Sequence, residues 1–551
     1  METMETMKTS ATSANPCKHL FPLLLCLLPS LLFADSVVTT NGVVVTDYSL
    51  GEGSWYFGSH LTRLHLRNPT AFPQKIDIFC GEAGKYSISS IRTSTVVQPG
   101  GQSIVEWSNS MSHGYGGINI IGIKDSSGYS VVLSTNGAFS RWRENPTVYA
   151  TPATKPHAIK EYTSATNKLE TLDFTLSTAY ADPWPADFRA YGRFAACLLT
   201  LDEFYRLPET TQTALYDYAA AGGVLCLFGA EGRPLPTHPF QHLAHDSAVL
   251  ALPQASAEDL VHTGETQLLA LLENIQKTAD RTNTESYDKR SRGPYPGELR
   301  AKPTFVGGVY AVLLLFAILA GPVLIVRLAR RNQRLKILWI LPALSAAFCL
   351  LLTLVFFATN GVRPTFQREA VTLLDQTAGR ALTTARLCAL SPFTPRRALD
   401  FPRDAILFAP DHTAIDIGAT QRIAGRWAKP GVVSTFHTRT IAPTHLRLEV
   451  TRADNGTLSV RNLLGETIDT LFLWDENGQT YSLSQLAPGA TATLTASALP
   501  SSHSLLDVRF QEAGPPRPST FAAELSGCPF AEDPTSGPAH RTAHAYVFGS
   551  Y

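Results

Sequence analysis

The sequence predicts a multidomain protein, α/β plus all-β, held by a two-helix transmembrane hairpin. Three observations predict this. Two long apolar runs, 305–326 and 337–359, flank a short basic loop. Alternating strand-length segments with Gly, Pro and Asn turns fill 36–150 and 440–500. Between 158 and 279, short apolar runs alternate with stretches of helical periodicity.

The chain has 551 residues, enough for several domains. Its 46 basic and 46 acidic residues give a formal net charge of zero, so no global positive field favours nucleic acid. Residues 1–34 read as a secretory signal: Lys8 and Lys18 supply the positive region, His19–Phe33 the apolar region, and Ala34 the small residue at its end. An uncleaved anchor is the alternative. Cys26 does not open a lipoprotein-type segment. Of eight cysteines, none has CxxC spacing, so no zinc site is indicated. Export permits disulfides, and Cys388–Cys528 is one pairing to test; Cys197 and Cys226 read as buried thiols.

In the hairpin each apolar run is long enough to cross a hydrocarbon core as a helix. Arg327, Arg330, Arg331, Arg334 and Lys336 lie between the two runs. The positive-inside rule puts this 327–336 loop in the cytoplasm, and both flanking regions outside it. Within the charged 280–304 tether, the segment Asp288–Lys302 is also basic, with Lys289, Arg290, Arg292, Arg300 and Lys302, and the export signal decides between the two. Neither run holds an acid or a base, so the pair reads as an anchor and not a proton or ion path. Pro322 and Pro342 are candidate kinks, and Gly307, Gly308 and Gly321 candidate packing positions.

The region 36–150 reads as an extracytoplasmic β-sandwich. Leu64 and Leu66, Ile76 and Ile78, and Ile118 and Ile120 mark alternating strands, with a turn at Pro99-Gly100-Gly101. The region 440–500 uses the same pattern, with turns at Asn455-Gly456, Asn477-Gly478 and Pro488-Gly489. A local match links them. Leu64-His-Leu66-Arg-Asn68 followed by Pro99-Gly100 parallels Leu458-Ser-Val460-Arg-Asn462 followed by Pro488-Gly489. Two immunoglobulin-like modules are expected, one on each side of the hairpin in sequence, the second within an extracytoplasmic 360–551 region.

In 158–279, Phe194–Leu199 and Val224–Phe228 read as buried strands of a parallel sheet. A helix between them starts at Pro208, uses Ala214, Leu215 and Tyr218 as its inner face, and stops at Gly222-Gly223. Another helix is expected over 263–277. Three features carry candidate chemistry. His238, His242 and His245 have the spacing of a metal-binding helical face, although Pro239 and a surface-turn reading weigh against it. Asp202-Glu203 follows a strand end, where α/β sheets hold ligands, and also suits a helix cap. Cys226 is a nucleophile only if it leaves the strand interior. His540 and His544 repeat a four-residue spacing without a nearby carboxylate. No Walker loop, GxGxxG or GxSxG is present.

The stretch AAAGGVLCLFGAEG, 219–232, resembles the strand-to-turn region of class I glutamine amidotransferase-like domains, with Gly229 where that family places its catalytic cysteine. No His-x-Glu segment follows, so the resemblance implies a degenerate, non-catalytic domain. The whole order also resembles a group of uncharacterised bacterial envelope membrane proteins. The matching pieces are Gly321-Pro322, Trp339…Pro342, Pro185…Tyr191, Leu207-Pro208…Gly222-Gly223, Asn462-Leu-Leu-Gly465 and Leu486-Ala-Pro488-Gly489. The resemblance implies a protein of the bacterial inner membrane, mostly extracytoplasmic, with no cofactor and no catalytic residues to carry over. Two readings follow. One is a scaffold, sensor or binding protein with the lipid bilayer and an envelope protein as partners. The other is a membrane-tethered hydrolase using Cys226 or the His238, His242 and His245 cluster.

Overall fold

The structure, a computed structural model, describes residues 37–38, 43–49, 59–83, 90–110, 118–125, 128–135, 147–166, 175–177, 184–192, 194–233, 239–240, 249–275, 306–331, 334–360, 363–410, 413–453, 457–496, 505, 516–535 and 539–551. Residues 1–34, expected to be an export signal, the 280–304 segment and the histidines at 238, 242 and 245 lie outside the described residues. The fold is mixed α/β, with five β-sheets and two apolar helices long enough to cross a membrane among the described residues.

The first β region is a sandwich. A four-stranded antiparallel sheet, which includes Val44–Ser49, Ser59–Arg67 and Gln102–Ser110, faces a seven-stranded sheet. Alternation places Val45, Leu64, Leu66, Val105 and Trp107 of one sheet against Ile76, Ile78, Ile91 and Ile123 of the other. The second region repeats this plan. Arg447–Arg452, Leu458–Leu463 and Thr491–Thr493 form a three-stranded sheet. It packs through Leu448, Leu458 and Val460 on Leu471, Leu473 and Ala523. In each module the strand order of the second sheet is the same: 90–97, 74–83, 118–125 in one and 480–486, 468–474, 520–525 in the other.

The repeat extends to single atoms. Asn68 and Asn462 are both fully buried. Asn68 Nδ2 donates to the carbonyls of Phe72 and Val97; Asn462 Nδ2 donates to those of Glu466 and Leu486. Asn68 Oδ1 accepts from Thr70 N, and Asn462 Oδ1 from Leu464 N. Each asparagine's own N–H reaches the residue after a left-handed glycine: Gly101 beyond Gly100 (φ 66°), and Ala490 beyond Gly489 (φ 75°). A side chain with two donors and an acceptor is what such a buried corner requires.

Three features depart from a chain of separate modules. Strand Ala414–Ile417, which follows the hairpin in sequence, pairs in parallel with Ser90–Val97, which precedes it. The seven-stranded sheet therefore draws strands from both sides of the hairpin. The second module also runs past residue 500, since Thr520–Leu525 is one of its strands. It merges into a nine-stranded sheet whose one parallel pair joins Thr365–Asp375 to His540–Ser550. These pairings link residues far apart in sequence, so no local pattern marks them.

The α/β part contains a wholly parallel sheet in the order 175–177, 147–150, 196–200, 224–228, 249–252, or 2-1-3-4-5 in chain order. Helices cover both faces. Ala196, Leu198, Cys226 and Phe228 share a core with Ile159, Leu260, Leu268 and Leu272. Cys197, Leu199, Leu225 and Leu227 share the other with Ala214, Leu215 and Tyr218 of helix Glu209–Ala220. Pro208 caps that helix, sitting one residue before its first turn. The helix expected over 263–277 is present over 265–275 in the described residues, and a separate helix, Ala257–Thr263, capped by Ser256 and ended at Gly264, precedes it.

The second core continues into the nine-stranded sheet through Val371, Leu373, Leu382, Phe472 and Phe548. On that sheet's opposite face, Ala370 and Leu374 belong to the second sandwich. Arg380 binds Asp217 bidentately, Nη1 to Oδ1 at 2.6 Å and Nη2 to Oδ2 at 2.7 Å. Arg439 Nη1 donates to Ala221 O, and Phe240 N donates to Asp375 Oδ2. Helix 209–220 is thus enclosed between two sheets.

Gly223 is required at the end of this helix. A Cβ there would lie 2.0 Å from ring carbons of Tyr218. That ring is held by the hydrogen bond from its hydroxyl to Phe194 O, at 2.8 Å. Gly223→Ala is expected to destabilise the protein by about 2 kcal/mol, measured as a lower denaturant midpoint with unchanged slope.

The two apolar helices form a hairpin, with Phe316 and Phe348 rings 5.2 Å apart. The first, Val306–Ile318, passes through a wide π turn at Leu319–Val323 before Leu324–Arg330. Pro322 lies inside that turn, which absorbs its missing N–H. The second, Ile337–Asn360, is continuous although Pro342 lies inside it and lacks the N–H that would bond to the preceding turn. Arg327, Arg330, Arg331, Arg334 and Lys336 all fall at the hairpin's turn, and Trp339 beside them is 83% exposed.

Cys197, Cys226, Cys349, Cys388 and Cys528 are free thiols. The candidate Cys388–Cys528 pairing does not form. Cys388 lies opposite Gln367 and Thr435, with Sγ 3.9 Å from Thr435 Oγ1. Cys528 belongs to the core on the other face of the sheet and donates from Sγ to His544 O at 3.0 Å.

Candidate functional site

In a sheet ordered 2-1-3-4-5, the crevice for a ligand opens where strand order reverses, here beyond Ala150 and Thr200. The chain turns sharply at both points. After strand Thr147–Ala150 comes a short 3-10 turn, Pro152–Thr154. After strand Ala196–Thr200 helix Leu201–Arg206 begins at once, and the sequence Thr200-x-x-Glu203 builds a capping box.

Glu203 fills this position. Its Oε2 accepts from Thr200 N at 3.0 Å, Thr200 Oγ1 at 2.9 Å and Thr151 Oγ1 at 2.7 Å. Thr151 is itself 7% exposed and donates its N–H to Leu198 O. One carboxylate oxygen therefore ties together the two strands that diverge at the switch point. Asp202 points outward and pairs with Arg233 at 2.6 Å, both side chains more than half exposed. Such a pair adds little stability.

The turn after strand Val224–Phe228 is the second candidate position for chemistry. Gly229 holds it with φ 77°. Its N–H donates to Gln254 O at 2.7 Å, and Ala230 N–H donates to Leu252 O at 2.9 Å. Both amides that could stabilise an oxyanion there are engaged by the neighbouring strand end. Cys226 is two residues inside the strand, fully buried, and burial pushes its thiol far above the ordinary cysteine range. Cys226 should resist maleimide alkylation in the native protein and react only after denaturation. Mass spectrometry of alkylated peptides checks this.

Among the described residues, no group of three His, Cys, Asp or Glu is arranged to hold a metal. His544 is taken by Glu524, Nε2 to Oε1 at 3.2 Å, and by edge contact with Tyr546. An open cleft lies between helices His157–Thr166 and Ala257–Thr263, lined by Lys155, His157, Glu161, Tyr162, Glu258 and His262. Lys155 and Glu258 bridge its mouth at 2.6 Å, and that hydrogen bond raises the lysine pKa. The capping role of Glu203 was readable from Thr200-x-x-Glu203. The link from Thr151 was not, because it depends on which strands adjoin.

The chain matches no family model and no curated protein. Two of the solved structures it is similar to each align with about a third of it. One is the yeast delta-COP-I mu-homology domain complexed with a Dsl1 WxWxV peptide, at 12% identity and a TM-score of 0.20, covering 34% of this chain and 96% of that one. The other is a Paenibacillus sp. cycloisomaltooligosaccharide glucanotransferase complexed with cycloisomaltoheptaose, at 8% identity and a TM-score of 0.17, covering 33% of this chain and 27% of that one. At these scores neither alignment carries an argument about fold or activity.

Proposed function

We propose that this chain is a non-catalytic scaffold, sensor or binding protein of the bacterial inner membrane. Its hairpin is the anchor and its sheets are the extracytoplasmic part, including two immunoglobulin-like modules and a degenerate amidotransferase-like α/β domain. The observation that carries the reading is the turn after Val224–Phe228. Glycine stands where the resembled family has its nucleophile, with both adjacent amides internally bonded and Cys226 sealed in the core.

The hairpin supports an anchor. Its two spans are 6% and 0% buried by the rest of the protein, so lipid is their natural neighbour. Basic residues at its turn support a cytoplasmic loop. The pairing of Ala414–Ile417 with Ser90–Val97 supports one extracytoplasmic body, since hydrogen-bonded neighbouring strands cannot lie on opposite sides of a bilayer.

Cross-linked purification from native membranes, with mass spectrometry of proteins and metals on the same sample, tests the proposal. The expected result is a reproducible set of envelope partners and no stoichiometric metal. Stoichiometric zinc that disappears in His242→Ala would overturn it in favour of a tethered hydrolase.

A further inference from the structure

Two loops meet where the second apolar helix enters the nine-stranded sheet. Helix Ile337–Asn360 leads into strand Thr365–Asp375. Thr365 pairs with Leu390, and Leu390 with Val433. The loop after Leu390, 391–398, and the loop before Val433, 424–431, therefore leave the sheet at the end joined to the helix. The ring of Phe393, in the first loop, lies 5.3 Å from that of Phe357. Phe357 is in the last turn of the helix, just past the apolar span Ile337–Val355.

The two loops form one platform. Arg426 N donates to Pro395 O at 2.8 Å, Gly431 N to Ser391 O at 2.8 Å, and Trp427 Nε1 to Arg397 O at 2.9 Å. Trp427 is buried, with its ring 5.8 Å from Phe366 and 6.0 Å from Phe436, so the platform is fixed to the core of the sheet. Its surface has another character. Phe393 is 45% exposed, and Arg396, Arg397, Arg426 and Lys429 are all exposed. Neither loop contains an acid. Asp400, the next acid along the chain from the first loop, is matched by Arg422 at 3.9 Å.

We propose that this platform docks on the membrane that holds the hairpin. Arg396, Arg397, Arg426 and Lys429 take anionic phospholipid headgroups, and the Phe393 ring seats at the interface. The proposal rests on the reading of the hairpin as a membrane anchor. Position selects lipid as the occupant, because a ring packed on the last turn of a membrane span lies at headgroup depth. Charge selects anionic lipid, because four cations without a carboxylate are drawn to phosphate. An apolar side chain flanked by basic ones is the composition that settles at this depth. The platform is at the opposite end of the hairpin from the basic turn, so each leaflet meets a cationic surface. Docking holds the extracytoplasmic body at one tilt against the bilayer.

The test uses the full-length protein with its native cysteines replaced, in phosphatidylcholine vesicles with and without phosphatidylglycerol. A fluorophore is placed on Thr394→Cys, in the platform, or on Glu476→Cys, in the turn at the opposite end of the nine-stranded sheet. Lipids spin-labelled at the headgroup should quench Thr394→Cys and leave Glu476→Cys unquenched, and phosphatidylglycerol should strengthen the quenching. Each cation at an anionic surface multiplies the docked population about fivefold. Arg396→Gln with Lys429→Gln should therefore lower the docked-to-undocked ratio at least about tenfold. Alkaline extraction of the same vesicles reads the anchor separately. Retention in the membrane with Thr394→Cys unquenched overturns the platform and leaves the anchor standing. Quenching that ignores both phosphatidylglycerol and the charge variant does the same. Release by alkali overturns the anchor and the platform with it. A cross-link from Thr394→Cys to a protein in native membranes, without lipid quenching in vesicles, assigns the surface to a protein and overturns lipid docking.

Discussion

Arg380→Ala is expected to destabilise the protein by about 4 kcal/mol at neutral pH. Asp217 lies on a helix enclosed by two sheets, with its side chain 9% exposed. Arg380 is its bidentate partner from the nine-stranded sheet. Without the guanidinium, a carboxylate is left in the core with no cation, and the α/β part loses its strongest polar tie to the sheet. Desolvation already raises the Asp217 pKa above its ordinary value of 3.8, opposed by Arg380. A raised carboxylate pKa means that its stabilising contribution is complete below the ordinary value and is lost as pH rises through the folded-state value. Removing Arg380 raises that value further. The penalty should therefore shrink in mildly acidic solution, and Asp217→Asn added to Arg380→Ala should recover part of it. Denaturant midpoints at neutral and acidic pH measure this; a penalty independent of pH would contradict it.

Asn462→Ala and Asn68→Ala should each destabilise the protein by about 3 kcal/mol. Each substitution strands one buried carbonyl, one partly buried carbonyl and a backbone amide, because the asparagine side chain bridges its own turn to the turn before the glycine. Aspartate should do little better, since a carboxylate cannot donate to those carbonyls. Equilibrium denaturation of the four variants checks this. Similar losses at both sites are expected from the repeated geometry, and a loss below about 1 kcal/mol at either would contradict the role given to the corner.

The paired asparagines were legible because the corner is local: a strand ending in Arg-Asn and a later Pro-Gly carry the same contacts in both modules. The hairpin was legible because crossing a membrane demands long unbroken apolar runs. The buried strand Val224–Phe228 was legible for a similar reason, since burial on both faces leaves no polar alternation. The pairing of Ala414–Ile417 with Ser90–Val97 was not, since short strands carry no mark of a distant neighbour. Asp217, 163 residues from Arg380, reads in sequence as an ordinary polar residue of a surface helix. At the candidate site, Glu203 was found at the right strand end, but its work as a cap depends on Thr151 across the switch point.

The central claim is that the regions before and after the hairpin form one body on one side of a membrane, with the basic turn on the other. Sided labelling of single cysteines in intact vesicles tests it most directly, in a background with the native cysteines replaced. Phe72 is 72% exposed and Val432 51% exposed, one from each region, and Arg331 sits at the turn. Phe72→Cys and Val432→Cys should react with an impermeant maleimide from the same side, and Arg331→Cys only after the membrane is opened. Labelling of Phe72→Cys and Val432→Cys from opposite sides, or of Arg331→Cys together with them, would contradict the account.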